Sequence, residues 1–257
     1  MPAFLRFSKE RNESKYNVFS GKNFIVLFSL FCLFWSKAYA ADFSNFYKAD
    51  ASSLKYFAKD MGTMLGSGGD NTARSLGFSG FDLGYKQYFQ LKPDFSNKVF
   101  KPKRVVRFGW IQAEIGMPYR IDGFIKASNY DGLAMAGGGL RYGLRQISDK
   151  EGYFQFMLVG MSNIAVNQYF CATHFSSMFY VSRNGKYMFP YAGFGFDNTK
   201  LRVSKTEDAQ LSGKKVYSLE ERCLIGLKIK LRFFYLAIDA AYSHGRNVLL
   251  WSGGMRF

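Results

Sequence analysis

Between residues 78 and 257 one pattern recurs: about ten residues in which apolar side chains alternate with small or polar ones, then a break. Alternation with period two marks a strand with two unlike faces, and many such segments in series mark an all-β architecture. The segments fall at 78–90, 104–116, 119–127, 132–146, 152–161, 170–183, 187–202, 215–230, 232–243 and 247–257. In the last, NVLLWSGGMRF, Leu249, Trp251, Gly253, Met255 and Phe257 share one face, and Val248, Leu250, Ser252, Gly254 and Arg256 the other. A strand with two unsatisfied edges needs a partner on each side, which a closed barrel supplies.

The two strands before it repeat the contrast. Phe234, Leu236, Ile238, Ala240 and Tyr242 oppose Tyr235, Ala237, Asp239, Ala241 and Ser243; Cys223, Ile225, Leu227, Ile229 and Leu231 oppose Arg222, Leu224, Gly226, Lys228 and Lys230. The apolar face runs for about ten residues, the length a tilted membrane strand requires. A soluble sandwich shows the same alternation but has to bury the face that carries these lysines and arginines, or leave it to solvent. Connections read as short (117–120, 149–152, 183–186, 231–232) and long (91–103, 161–169, 198–215), with exceptions at 128–132 and 244–247. Together with an even strand count, this predicts a transmembrane antiparallel up-and-down β-barrel of about ten strands with both termini on one side.

Composition agrees. Aromatics are 19% of the chain, with 28 Phe and 17 Tyr, against 5 Pro. Such a balance favours strands. Beyond residue 40 there is no uncharged apolar run of 18 residues, which excludes helical membrane spans there.

Ahead of the barrel stand two different segments. Residues 1–23 carry Arg6, Lys9, Arg11, Lys15 and Lys22, then FIVLFSLFCLFW (24–35), then SKAYA with Ala38 and Ala40 at the small positions before a cut. That order predicts a signal peptide over 1–40, cleaved after Ala40, and export. This run of 12 residues is too short, at 1.5 Å each, to span a core of about 30 Å. In 41–70, Leu54, Phe57, Met61 and Leu65 recur at helical spacing, with Asp50 and Ser52 as caps and GSGG (66–69) as the stop. This predicts a short N-terminal amphipathic helix before the barrel of 71–257, set against one barrel mouth, the other roles open to it being a plug inside the barrel, a periplasmic lid or a surface-lying helix.

Cleavage would lower the net charge from +16 to +12. The bases are dispersed, with no run of five, so the basic balance of an exported chain points to outer-membrane lipid and lipopolysaccharide and not to nucleic acid. Cys171 and Cys223 both sit within apolar alternation, which favours packing over a disulfide.

The closing NVLLWSGGMRF resembles the C-terminal signal that bacterial outer-membrane barrels present to their assembly machinery, with Trp251, Met255 and Phe257 at the alternate positions. KDMGTMLGSG (59–68), SLGFSGFDLGYK (75–86), AGGGLRYGL (136–144) and PYAGFGFD (190–197) resemble stretches of uncharacterised proteobacterial-type outer-membrane proteins. The resemblance implies the bacterial outer membrane and the barrel assembly machinery as partner; it brings no catalytic residue.

Chemistry is sparse. With two histidines, His174 and His244, there is no His-rich metal site and no HExxH, GFSGF (77–81) lacks the GxSxG spacing, and GGG (137–139) lacks GxGxxG. No cofactor, metal ligand or catalytic residue is predicted, and the chain is not expected to be an enzyme. A minor alternative is an omptin-like outer-membrane protease, which would use an Asp/His pair at the rim. His244 and Asp239 are five residues apart, about 16 Å of extended chain, and on opposite faces, so they cannot form that pair directly. His244 itself is expected to be a solvated turn residue. The remaining constellation is inward charge: Asp82, Lys86, Glu114, Asp122, Lys126, Arg141, Arg145, Glu220, Arg222, Lys228, Lys230, Asp239 and Arg256. This predicts a small passive pore with a basic lumen for small anionic solutes. The alternative is a non-conducting structural or adhesive surface barrel, its inward charges paired into a plug.

Overall fold

The computed structural model describes residues 43–100, 105–130, 132–231 and 233–257. The expected signal peptide lies outside these residues. Ten antiparallel strands close into a barrel in sequence order: β1 (Phe81–Gln90), β2 (Val106–Gly116), β3 (Ile121–Tyr130), β4 (Leu133–Gly143), β5 (Phe154–Val166), β6 (Phe170–Arg183), β7 (Met188–Val203), β8 (Lys215–Lys230), β9 (Phe234–Ser243) and β10 (Arg246–Arg256). The alternation read from the sequence locates all ten to within a few residues at most ends. Closure comes from β1 against β10, with Asp82 opposite Arg256 and Gln90 opposite Val248. Phe81 and Phe257 exchange backbone bonds of 3.1 and 2.8 Å, so the last residue is a full rung of the ladder. Trp251, Met255 and Phe257 all lie on the outer face, and the Phe257 and Phe81 rings are 6.4 Å apart.

The outer wall is apolar. Ile111, Ile115, Ile125, Leu140, Phe194, Leu219, Ile225 and Ile238 are each more than half exposed. A continuous surface of this kind is tolerated where lipid covers it. No helix among the described residues is long and apolar enough to cross a membrane. Cys171 and Cys223 are free, on the outer face.

The connections differ from the expected alternation of lengths. At one mouth, called the loop mouth here, they span 91–105, 131–132, 167–169, 204–214 and 244–245; at the other, the turn mouth, they span 117–120, 144–153, 184–187 and 231–233. Only two at the loop mouth are long. β5 runs on to Val166, further than the sequence suggested, and shortens its link to β6, which spans 170–183 as expected, whereas β4 ends at Gly143 and lengthens the link to β5.

The N-terminal segment departs most from expectation. α1 (Ala51–Leu65) does not cap a mouth but lies inside the barrel against β5–β8. Asp50 caps it, accepting from Ser53 N at 2.9 Å and from Lys98. Its start is held at the loop mouth: Phe46 and Phe57 pack on Phe170 with centroids 4.9 and 5.0 Å away, and the Tyr47 carbonyl accepts from Glu207 N. Beyond α1 the chain continues down the lumen and leaves at the turn mouth, where Arg74 meets Asp149 and Gly80 O accepts from Gly116 N at 2.7 Å. Residues 43 and 257 therefore lie at opposite mouths, not at the same one.

Candidate functional site

The lumen wall is where the inward charges collect, and almost every one is engaged by the threaded segment or by another wall residue. Strand parity sets them inward: Asp82, Lys86, Glu114, Asp122, Lys126, Arg141, Arg222, Lys228 and Asp239 are all buried. An α-helix ends with unpaired carbonyls and the negative pole of its dipole, so basic side chains are favoured there. The end of α1 is served by the wall in this way. Lys126 Nζ donates to the carbonyls of Leu65 and Ser67 at 2.9 and 3.1 Å, Asn163 Nδ2 to Leu65 O at 3.0 Å, and Arg222 Nη2 to Thr63 O at 3.1 Å. Lys86 Nζ reaches Gly68 O at 3.0 Å.

Below the helix, Arg141 gathers acids from wall and segment alike: Asp70 at 3.0 Å, Glu114 at 2.7 Å and Asp122 at 3.6 Å. Asp122 also accepts from Ser75 Oγ at 2.8 Å and from Leu76 N. Buried charges of this kind are costly unless paired on every side, and here each ion has partners. Nearer the turn mouth, Asp82 accepts from Tyr235 at 2.9 Å and lies 3.5 Å from Arg256, while Lys228 sits 3.8 Å over the Tyr235 ring. Asp239 accepts from Tyr191 at 2.9 Å, and Glu220, half-buried, pairs with Lys59 of α1 at 2.6 Å.

Two expected lumen residues lie elsewhere. Arg145 follows the end of β4 and is exposed, its guanidinium 4.4 Å from the Tyr153 ring centroid, because the strand stops at Gly143 and parity no longer governs its direction. Lys230, the last residue of β8, is exposed at the turn mouth.

The segment also supplies acids of its own. Asp60 of α1 accepts from Gln90 Nε2 at 2.7 Å and from Asn97, and holds Arg246 at 2.5 Å. Arg246 and Asp197 are wall charges absent from the constellation expected of the sequence, although both follow from parity: Arg246 shares a face with Val248, and Asp197 with Tyr191 and Thr199. Asp60 and Asp70 carry no such signal, since their partners come from strands far away in the chain.

Asp197 organises a second cluster at the level of α1. Arg222 pairs with it at 2.6 Å, Ser243 Oγ donates to it at 3.2 Å, and His174 Nε2 and His244 Nδ1 lie 3.6 and 3.8 Å away. His174 Nδ1 is 2.9 Å from Thr199 Oγ1, and His244 Nδ1 is 2.6 Å from Ser243 Oγ. His244 is thus buried and not a solvated turn residue, because its turn folds over α1. Burial among cations pushes its pKa down to about 3, so the ring is neutral. Its neighbours are Ser243 and Asp197, while Asp239 binds Tyr191. Gly62 and Gly66 face this cluster at close range: a Cβ on Gly66 would lie 2.3 Å from Arg222 and 2.7 Å from His174 Nε2.

No family model and no curated protein matches this sequence. Among solved structures, Ail, the attachment invasion locus protein of Yersinia pestis, in complex with the heparin analogue sucrose octasulfate, aligns at 15% identity and a TM-score of 0.31, over 70% of this chain and 97% of that one. The KdgM porin aligns at 6% identity and 0.35, over 68% and 99%. Neisserial surface protein A aligns at 12% identity and 0.28, over 68% and 95%.

Proposed function

We propose that the protein is a bacterial outer-membrane barrel that is closed to solutes, a surface-structural or adhesive element and not an open pore, and that it carries out no catalysis. The observation that supports this is the occupancy of the lumen. Five of the bases that an anion would use, Lys86, Lys126, Arg141, Arg222 and Arg246, are bound to main-chain carbonyls or acids of residues 60–70, and the helix abuts the wall through glycine. An anion entering the lumen would have to break several buried charge-assisted bonds, each worth about 1.5–3 kcal/mol. The exposed residues of the loop mouth are then what the protein offers to its surroundings, with Lys92, Lys205 and Lys214 available to acidic partners.

Planar-bilayer recording of the purified protein tests this. The expected outcome is a silent membrane. Steady anion-selective events that diminish in Lys126→Gln would overturn the reading in favour of the pore.

A further inference from the structure

At the loop-mouth ends of β7 and β8 the outer wall carries a charge arrangement that the lumen does not explain. Arg202 and Lys215 stand directly opposite each other in the ladder, and both are exposed. They point outward because Leu201 and Val203 on one strand are buried while Val216 on the other packs against the core. One outward position closer to the belt, Lys200 stands opposite Tyr217, its ammonium 5.8 Å from the ring centroid. Like charges directly opposite one another on a strand pair are destabilising.

The outward faces of β6, β7 and β8 hold a single acid, Glu221. It lies four residues from Tyr217, about 13 Å along the strand, too far to neutralise the three bases. Between them and the rest of the belt are Phe175, Phe196 and Leu219, each more than half exposed. So three cations and a tyrosine ring stand at the height where the apolar wall ends, the level of lipid head groups.

We propose that this face of β7–β8 binds a phosphorylated membrane lipid, its phosphate on Arg202 and Lys215 with Lys200 alongside, and its acyl chains lying on Phe196 and Leu219. The inference rests on the outer-membrane reading above. The guanidinium offers phosphate a planar two-pronged contact and the ammonium a point charge, and an anion between Arg202 and Lys215 turns their mutual repulsion into attraction to a shared partner. The lipid's chains supply the second half of recognition, since they cover apolar surface that a free phosphate would leave bare.

Native mass spectrometry of the protein in detergent, titrated with diphosphorylated lipid A, tests it. Retention of the lipid is expected, falling tenfold or more (roughly one charge-assisted hydrogen bond removed per side chain) in Arg202→Ser/Lys215→Ser. Lys150→Ser/Lys186→Ser, at the turn mouth, should retain it. Chemically dephosphorylated lipid A should bind weakly, and inorganic phosphate should not displace the intact lipid. Equal retention of the dephosphorylated lipid, unchanged retention by Arg202→Ser/Lys215→Ser, or displacement by inorganic phosphate would overturn the site. Should that double variant fail to fold, Lys200→Ser provides the same comparison. Fractionation of cells keeps the two readings apart: absence from the outer membrane with lipid retention intact overturns the location alone, and loss of retention with normal fractionation overturns only the lipid site.

Discussion

Gly62 and Gly66 set how closely α1 approaches the wall. A methyl group at Gly66 would lie 2.3 Å from an Arg222 nitrogen that Asp197 holds in place, and 2.7 Å from His174. The backbone there is ordinary right-handed helix, so the cost of a side chain is steric and not conformational. Gly66→Ala should therefore destabilise the protein by about 1–3 kcal/mol through overpacking. Gly160, on the outer face with nothing near its missing Cβ, provides the control. Gly160→Ala should leave the midpoint of urea unfolding in micelles unchanged, and equal midpoints for both variants would refute the close contact. Gly66 was legible in the sequence only as a helix stop; its packing role depends on β6–β8, which arrive more than a hundred residues later.

At the scale of elements, α1 is held by its ends and by two ion pairs in its middle, Lys59 with Glu220 and Asp60 with Arg246. Asp60→Ala removes the partner of a buried guanidinium and leaves Arg246 with Asp94 alone, 3.3 Å away on the 91–105 loop. The expected loss is about 3 kcal/mol, the cost of leaving a buried charge short of its counter-ion, with much of it restored in Asp60→Leu/Arg246→Met. Limited proteolysis of the 43–76 segment reads this directly: faster cleavage in the single variant than in the double one. The closing strand makes a separate prediction. Phe257 contributes two ladder bonds to Phe81 and its ring to the outer wall. Deleting it should slow conversion to the heat-modifiable folded form and leave the properties of correctly assembled molecules intact; assembly at the normal rate would count against the terminal residue as the closing element. The strands were legible because period two survives in a single sequence. The links were not, because a strand continues or stops according to its neighbour's length, as with β4 at Gly143.

For the molecule as a whole, the threaded segment makes the topology odd: ten strands and one passage through the lumen. Tyr47 is then accessible at the loop mouth and Tyr119, 85% exposed, at the turn mouth. In a background of Cys171→Ser/Cys223→Ser, Tyr47→Cys should react with a membrane-impermeant maleimide on intact cells, and Tyr119→Cys only after permeabilisation. Labelling of Tyr119→Cys alone on intact cells would invert the orientation, and equal labelling of both would contradict the crossing. The same geometry explains what the inward bases are for. Lys86, Lys126 and Arg222 serve carbonyls at and beyond the end of a helix, and Arg141 joins Asp70 of the segment to Glu114 and Asp122 of the wall, so part of the wall's charge is matched to the protein's own chain.

What the sequence determined by itself was whatever depends on nearest neighbours along the chain: strand identity, which side chains face which way, the outward apolar belt, a helix over 51–65 and the absence of nucleophile or metal motifs. Parity alone set Asp82, Lys86, Glu114, Asp122, Lys126 and Arg141 on the inner wall. What only the tertiary structure decided is what those residues touch. Lys126 meets a carbonyl 61 residues away and Arg222 one 159 residues away, and no local pattern encodes such pairings. The energy that selects them appears only when ten strands enclose a space too narrow to leave a buried charge unpaired.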